Sequence, residues 1–527
     1  MATNLDPCVI NMDQLSINNF FTHKDIVIAT KNNYKEVNEI QVPDQNGGVY
    51  NSSTPININT LNIPADSFPL YGESRICIPT SVSSSSATPF TSSQQLAWKQ
   101  SNIGMISGAR ISNSAGTTLY DNQNGSLPVK NAIKQLLQMN WDSLKSQGPL
   151  NEFYGPHFCS STGGNVGSVN YPFDTYLGQV TPAINATGAN YNQTFAKAVS
   201  QFGKNWTWNQ STASFQNVLN YQLRDLCPLF SQLDAPVTNN PLYMYLYTNN
   251  ANNCPMTAPT GASNQAIPLI QPTLNAVDSQ GLTPGNCKLF LKTVKFPDIK
   301  LPEVAEALKN GAKKIIEYVD TDMKVASGQI LASTTGNVSI QVTNTVVRPT
   351  CLWVIATPPS AIARTGNLFP PCADAGCVLS NINISINNAQ FYNFPIPDSK
   401  AAYNLLKQYM MNSQLFKTDG SLFDYNMWLN GYNIYCFPLD RIKVDPENSA
   451  CQIIFNSSYT SQNACDLVFV VDKVCTLSLE QFSNSTNASL DYGAHGGRLL
   501  AEHLEKQLRE EASHVNLQSY PSGAGGP

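Results

Sequence analysis

The strongest constraint on the fold is a unit that occurs twice. Its clearer copy runs from Asn381 to Arg441 and opens with Asn381-Ile-Asn-Ile-Ser-Ile-Asn-Asn388, where Ile382, Ile384 and Ile386 alternate with polar residues. Alternation of this kind marks a strand with one buried face. Phe391-Tyr392 follow, then a helical pattern from Asp398 to Met411, then Tyr432 to Arg441. Earlier in the chain Ala109-Arg-Ile-Ser-Asn113 is followed by Leu119-Tyr120 and by a helical pattern over Pro128–Ser146. The two helices agree in detail, Lys130-x-Ala132 with Leu136-Leu137 against Lys400-x-Ala402 with Leu405-Leu406. A strand–turn–aromatic–helix unit repeated at such a distance predicts two copies of one domain plan.

The rest of the chain fits strands joined by turns. Ile56–Thr60 and Arg75–Ile78 alternate, and Asp25–Thr30, Cys287–Val294, Asn337–Val342, Cys351–Ala356, Cys451–Phe455 and Asp466–Val471 also read as strands. In Pro241–Tyr247, Tyr243, Tyr245 and Tyr247 share one face and Leu242, Met244 and Leu246 the other, and the tyrosine stripe reads as core rather than as a ligand platform. Thr80–Ser93 reads as an exposed loop, and Leu301–Val319 as helical. Pro128 suits a first helical turn, with Val129, Ala132, Ile133, Leu136, Leu137 and Leu144 as the apolar face and Gly148 as the stop. This helix is expected to cover the end of a sheet. Many short strands with one long helix per copy predict a mainly β chain of antiparallel sandwiches, with the eight-stranded jelly roll as the leading type. The expected division is an arm over 1–22, a first sandwich over 23–298 with an insertion at 149–212, a linker over 299–325, a second sandwich over 326–480, and a tail over 481–527. Leu500, Leu504 and Leu508 give that tail an amphipathic helix.

Composition narrows the function. Charged residues are only 13% of the chain, about half the usual share. The net charge is −5, and no basic run supplies the field that gripping a polyanion requires. No window approaches the roughly 18 consecutive apolar residues of a membrane-spanning helix, and no secretory leader opens the sequence. The 13 cysteines form no regular framework, which predicts reduced thiols packed as small hydrophobes in a reducing compartment. The sequons at Asn185, Asn192, Asn205 and Asn209 then stay unglycosylated.

No catalytic, cofactor-binding or metal-binding residues emerge. The five histidines, His23, His157, His495, His503 and His514, lack zinc-type spacing. Gly163-Gly164-Asn-Val-Gly167 has no strand-to-helix frame around it and reads as a loop. Asp320 and Asp322 could share a cation, but they lack the further oxygen ligands of a calcium loop and read as solvated charges.

Several segments resemble the double jelly-roll major capsid proteins of small eukaryotic DNA viruses, in particular those of polinton-like viruses and virophages. The resemblance is carried by Gln222–Phe230 with Asn240–Leu246, by Val347–Val354, by Ile384–Asn388 with Phe391-Tyr392, by Gly420–Trp428 and by Tyr435–Arg441. It covers residues 210–475 and extends to the rest only in general plan. The resemblance implies two upright jelly rolls per chain and a homotrimer of six-sided outline. Such trimers tile an icosahedral shell, with the 149–212 insertion on its outer face. It also implies neighbouring capsomers, single jelly-roll penton proteins and minor or cement proteins as partners, and no sequence-specific nucleic-acid binding. Two other classes remain open on the residues alone. A carbohydrate-binding sandwich adhesin would stack sugars on residues such as Trp206 and Trp208, and a glycoside-acting enzyme would need two facing carboxylates.

Overall fold

In the computed structural model the described residues are 36–46, 49–50, 54–64, 67–84, 95–98, 102–138, 140, 207–209, 214–233, 241–248, 255–258, 270–275, 287–295, 315–357, 377–412, 423, 425, 428–429, 434–439 and 450–478. The strand expected at Asp25–Thr30, the arm, most of the 149–212 insertion, the glycine-rich loop, the tail helix and all five histidines lie outside them.

The first half contains β1 (Glu36–Pro43), β2 (Val49–Tyr50), β3 (Ile56–Asn59), β4 (Phe68–Pro69), β5 (Arg75–Ser84), β6 (Gln95–Trp98), β7 (Ile106–Asn113) and β8 (Thr118–Asn122). Helix α1 (Ser126–Leu137) follows, then β9 (Thr207–Asn209), β10 (Ser214–Gln222), β11 (Leu242–Thr248), β12 (Pro255–Ala258), β13 (Ile270–Asn275) and β14 (Lys288–Lys295). The second half contains β15 (Ile315–Ile330), β16 (Thr334–Val346), β17 (Pro349–Thr357), β18 (Cys377–Ile386) and β19 (Ala389–Gln390). Helix α2 (Ser399–Asn412), β20 (Ile434–Pro438), β21 (Cys451–Ser461) and β22 (Cys465–Ser478) complete it.

The halves share one topology. The first half pairs its sheets in the orders β1-β14-β5-β10 and β3-β11-β7-β8, and the second in the orders β15-β22-β17-β20 and β16-β21-β18-β19. Counted along eight principal strands, both halves read 1-8-3-6 and 2-7-4-5, all antiparallel, which is the jelly-roll arrangement. The chain is a double jelly roll. The repeated unit seen in the sequence is the fourth and fifth strands with the helix after them, β7-β8-α1 and β18-β19-α2. The remaining first-half strands lie on connections: β6 pairs with β12, β9 extends the sheet beyond β10, β4 joins β14, and β13 pairs with β5 and β2.

Local chemistry explains the repeat. Ile382, Ile384 and Ile386 are buried, and the chain then reverses through Asn387 and Asn388, both in the left-handed region at φ 50° and 65°. Asparagine tolerates that region, and two such residues in succession make the tight hairpin from β18 into β19. Gly125, at φ 75°, opens α1, a backbone conformation that costs glycine little.

The structure corrects four expectations. Ile315–Val319 is not the end of a helix, because β15 pairs with β22 from Ile315 onward, so the second half of the 299–325 segment is strand. Thr80–Ser84 is not loop but the end of β5, paired with β10 and β13. The tyrosines of β11 are half-exposed on the outer face, while Leu242, Met244 and Leu246 fill the core. Helix α1 ends at Leu137 rather than Ser146; it packs against β7 of its own half, and its apolar face also enters the core of the second sandwich.

Candidate functional site: the junction between the jelly rolls

The two halves exchange parts of their cores. Val129, Ala132, Ile133, Leu136 and Leu137 of α1, from the first half, pack in the core that holds Trp353, Phe437 and Phe469 of the second. In return Ile316 and Tyr318 of β15, with Cys475 and Leu477 of β22, complete the first core beside Ile76, Leu119 and Leu289. Each buried aliphatic side chain stabilises by about 1.5–3 kcal/mol. The junction is therefore of core quality, unlike the more polar contact common between domains.

Polar groups set the register of this exchange. Lys130 on α1 bonds both carboxylate oxygens of Asp472 on β22, at 2.7 Å to Oδ1. The Trp353 indole N–H donates to Asp472 Oδ2 at 2.7 Å, and the ammonium stands 4.7 Å from the Trp353 ring centroid. The Asp472 side chain is 2% exposed, and removing Lys130 would leave its charge stranded away from water.

A second cluster joins β8 to β15. Asn122 Nδ2 donates to Asp320 Oδ1 at 2.8 Å and to the Thr321 carbonyl at 3.1 Å, and the Tyr120 hydroxyl donates to Asp320 Oδ1 at 3.3 Å. Ser126 Oγ sits 2.7 Å from Thr321 Oγ1, and Asn124 Nδ2 donates to Asp322 Oδ1 at 3.0 Å. Asp320 is thus a buried junction residue and not a solvated charge. Burial raises its pKa; Lys473, 3.9 Å away, and the Asn122 amide oppose that shift. Burial, reinforced by Asp320, likewise pushes the Tyr120 hydroxyl well up. Asp322 gives its oxygen to Asn124 and to its neighbour's amide. Among the described residues no three His, Cys, Asp or Glu side chains converge as metal ligands.

The thiols serve packing. The nine described cysteines form no disulfide, and all but Cys77 are buried. Burial pushes the Cys475 thiol up to about 12, which keeps it protonated in the first core. Sequence reasoning missed this junction because it brings together residues such as Lys130 and Asp472 that belong to different copies of the repeat. The one available signal was an isolated acid closing the apolar run Leu467–Val471.

With the geometry in hand, the class is that of tandem jelly-roll proteins, and solved structures share it. A chain of the Sputnik virophage, from a cryo-EM structure, is similar with a TM-score of 0.57 at 11% identity, over 85% of this chain and 88% of that one. The mavirus major capsid protein gives 0.45 at 12% identity, over 85% and 89%, and a chain of the PBCV-1 virus capsid gives 0.41 at 9%, over 84% and 94%. No protein-family model and no curated protein matches the sequence.

Proposed function

We propose that this protein is the principal shell component of an icosahedral DNA virus, located in the virion, and that it works by assembly rather than by chemistry. The observation that carries the reading is the junction: two sandwiches of identical strand order, locked side by side by exchanged core residues. A lone sandwich binding a sugar has no use for a fixed twin. A six-sided tile does, since three chains with two equivalent blocks each close such a tile. Likeness in fold to a virophage chain supports the same reading. So does the low charge density, because neutral polar residues suit broad permanent contacts better than charges that must be desolvated. The acidic balance fits a shell that encloses nucleic acid without gripping it. Penton and cement-type proteins are the partners this role requires.

Light scattering on the purified full chain tests the reading. The expected species is a trimer of the 57.5 kDa chain, forming hexagonal arrays in electron micrographs. A monomer that binds or cleaves glycans overturns it.

A further inference from the structure

The cluster that joins β8 to β15 holds more chemistry than the register of two strands requires. Asp320 lies opposite Lys473 in the β15–β22 ladder, and its carboxyl group reaches toward two nitrogens at once. Oδ1 accepts from Asn122 Nδ2 at 2.8 Å, and Oδ2 stands 3.9 Å from Lys473 Nζ. An amine and a carboxamide thus meet across one acid, away from water. The side chains of Asp320 and Lys473 are 3% and 17% exposed, and Asn122 is buried. The amide has a fixed orientation, because the Thr321 carbonyl can only accept and takes a hydrogen bond from Nδ2 at 3.1 Å. Asn122 Oδ1 therefore points the other way, where buried Ser126 Oγ donates to it at 3.2 Å.

We propose that Lys473 and Asn122 join covalently, through an amide bond from Nζ to Cγ formed with loss of ammonia, which ties β22 to β8 across the junction. Each part of that reaction has its group. Asp320 takes a proton from the Lys473 ammonium, and the burial of Asp320 favours the transfer because it discharges both partners. The freed electron pair on Nζ attacks Asn122 Cγ. Ser126 donates to the oxygen on which negative charge develops. Asp320 then hands its proton to Nδ2, the Cγ–Nδ2 bond breaks, and ammonia leaves. A proton from Nζ passes to the carboxylate in its place, and nothing is oxidised or reduced. Lys473 is the group that must move, since its ammonium lies beyond hydrogen-bond range of Oδ2 and rides on a flexible four-carbon stem. The other groups are already placed, which is the advantage of a reaction within one molecule. The bond forms within a single chain, whether or not copies assemble. It closes a loop containing every strand from β9 through β21, so the two sandwiches stay tied even when the fold opens.

The intact mass of the full chain, measured after denaturation, tests the bond. Once the N-terminal residue is established from its own peptide, the expected mass lies about 17 Da, one ammonia, below that of the sequence. Protease digestion then yields a branched peptide that carries both Asn122 and Lys473. Lys473→Arg keeps the positive charge and abolishes the mass loss. Asp320→Asn nearly keeps the shape of the acid but shuttles no proton, and it slows the loss by about 100-fold or more. An unaltered chain at the full mass of its sequence overturns the proposal, as does a branched peptide joining other residues. Loss of ammonia at an unchanged rate in Asp320→Asn overturns the role assigned to the carboxyl group. The deciding measurement is made on the unaltered chain, so it does not depend on any variant folding.

Discussion

The two equivalent sheets β1-β14-β5-β10 and β15-β22-β17-β20 share strand order but differ in what covers them. In the second, Cys351 to Ala356 on β17 and Leu467 to Val470 on β22 are fully buried on both faces, because α1 and α2 lie over the side turned away from the sandwich core. In the first, burial alternates: Leu289 and Leu291 of β14 are inside, and Lys288, Phe290 and Lys292 look outward. That outer face is held by solvent-tolerant contacts, with Arg75 4.6 Å over the Phe290 ring and 3.1 Å from Glu39, and Lys292 paired with Glu73. Topology therefore does not decide how apolar a sheet must be. The number of its covered faces does.

The largest test of this contrast is Trp353→Ala. It empties a site closed on both sides and removes a donor from Asp472, so the expected loss is about 3–5 kcal/mol in denaturant unfolding. Phe290→Ala, on the one-sided sheet, costs about 1 kcal/mol or less.

Next in size is the inter-sandwich ion pair. Lys130→Ala strands the Asp472 carboxylate and costs about 3 kcal/mol, discounted for the partial exposure of the lysine. Lys130→Met combined with Asp472→Leu recovers most of that loss in the same measurement. A double variant no more stable than Lys130→Ala would show that the charges do more than satisfy each other.

A smaller effect appears as pH dependence. The pKa of Asp320 is raised above 3.8 in the folded chain, so folding favours its protonated form. Its contribution is fully present below 3.8 and is lost as pH rises through the higher folded value. Relative to Asp320→Asn, the unaltered protein is expected to gain stability as acid is added across that window, and to show a constant difference above it. Denaturant midpoints at a series of pH values measure this.

The smallest effect belongs to the exposed sheet. Arg75→Ala breaks a pair whose side chains are nearly half exposed and costs about 0–1 kcal/mol. A larger loss would mean that this face is covered in the species being measured.

Much of the contrast was legible in residue order. Arg75-Ile-Cys-Ile78 alternates because one face meets water, while Cys351-Leu-Trp-Val-Ile-Ala356 runs apolar because neither does. The isoleucines of β18 and the Lys-x-Ala motif within both helices carried the duplication. What residue order could not carry was the partner of each face. The five apolar residues of α1 read alike whether they cover their own sandwich or the next. Ile315–Val319 follows a helix-like segment in the sequence, and only pairing along β22 makes it strand. Asp320 looks like any surface acid until Tyr120, Asn122 and Lys473 are placed around it.

The long-range pairing of β15 with β22 also orders events during synthesis. The first core borrows Ile316, Tyr318, Cys475 and Leu477, so it stays unfinished on the ribosome until the chain has been made through Leu477. A nascent or prematurely terminated polypeptide thus presents an incomplete first block.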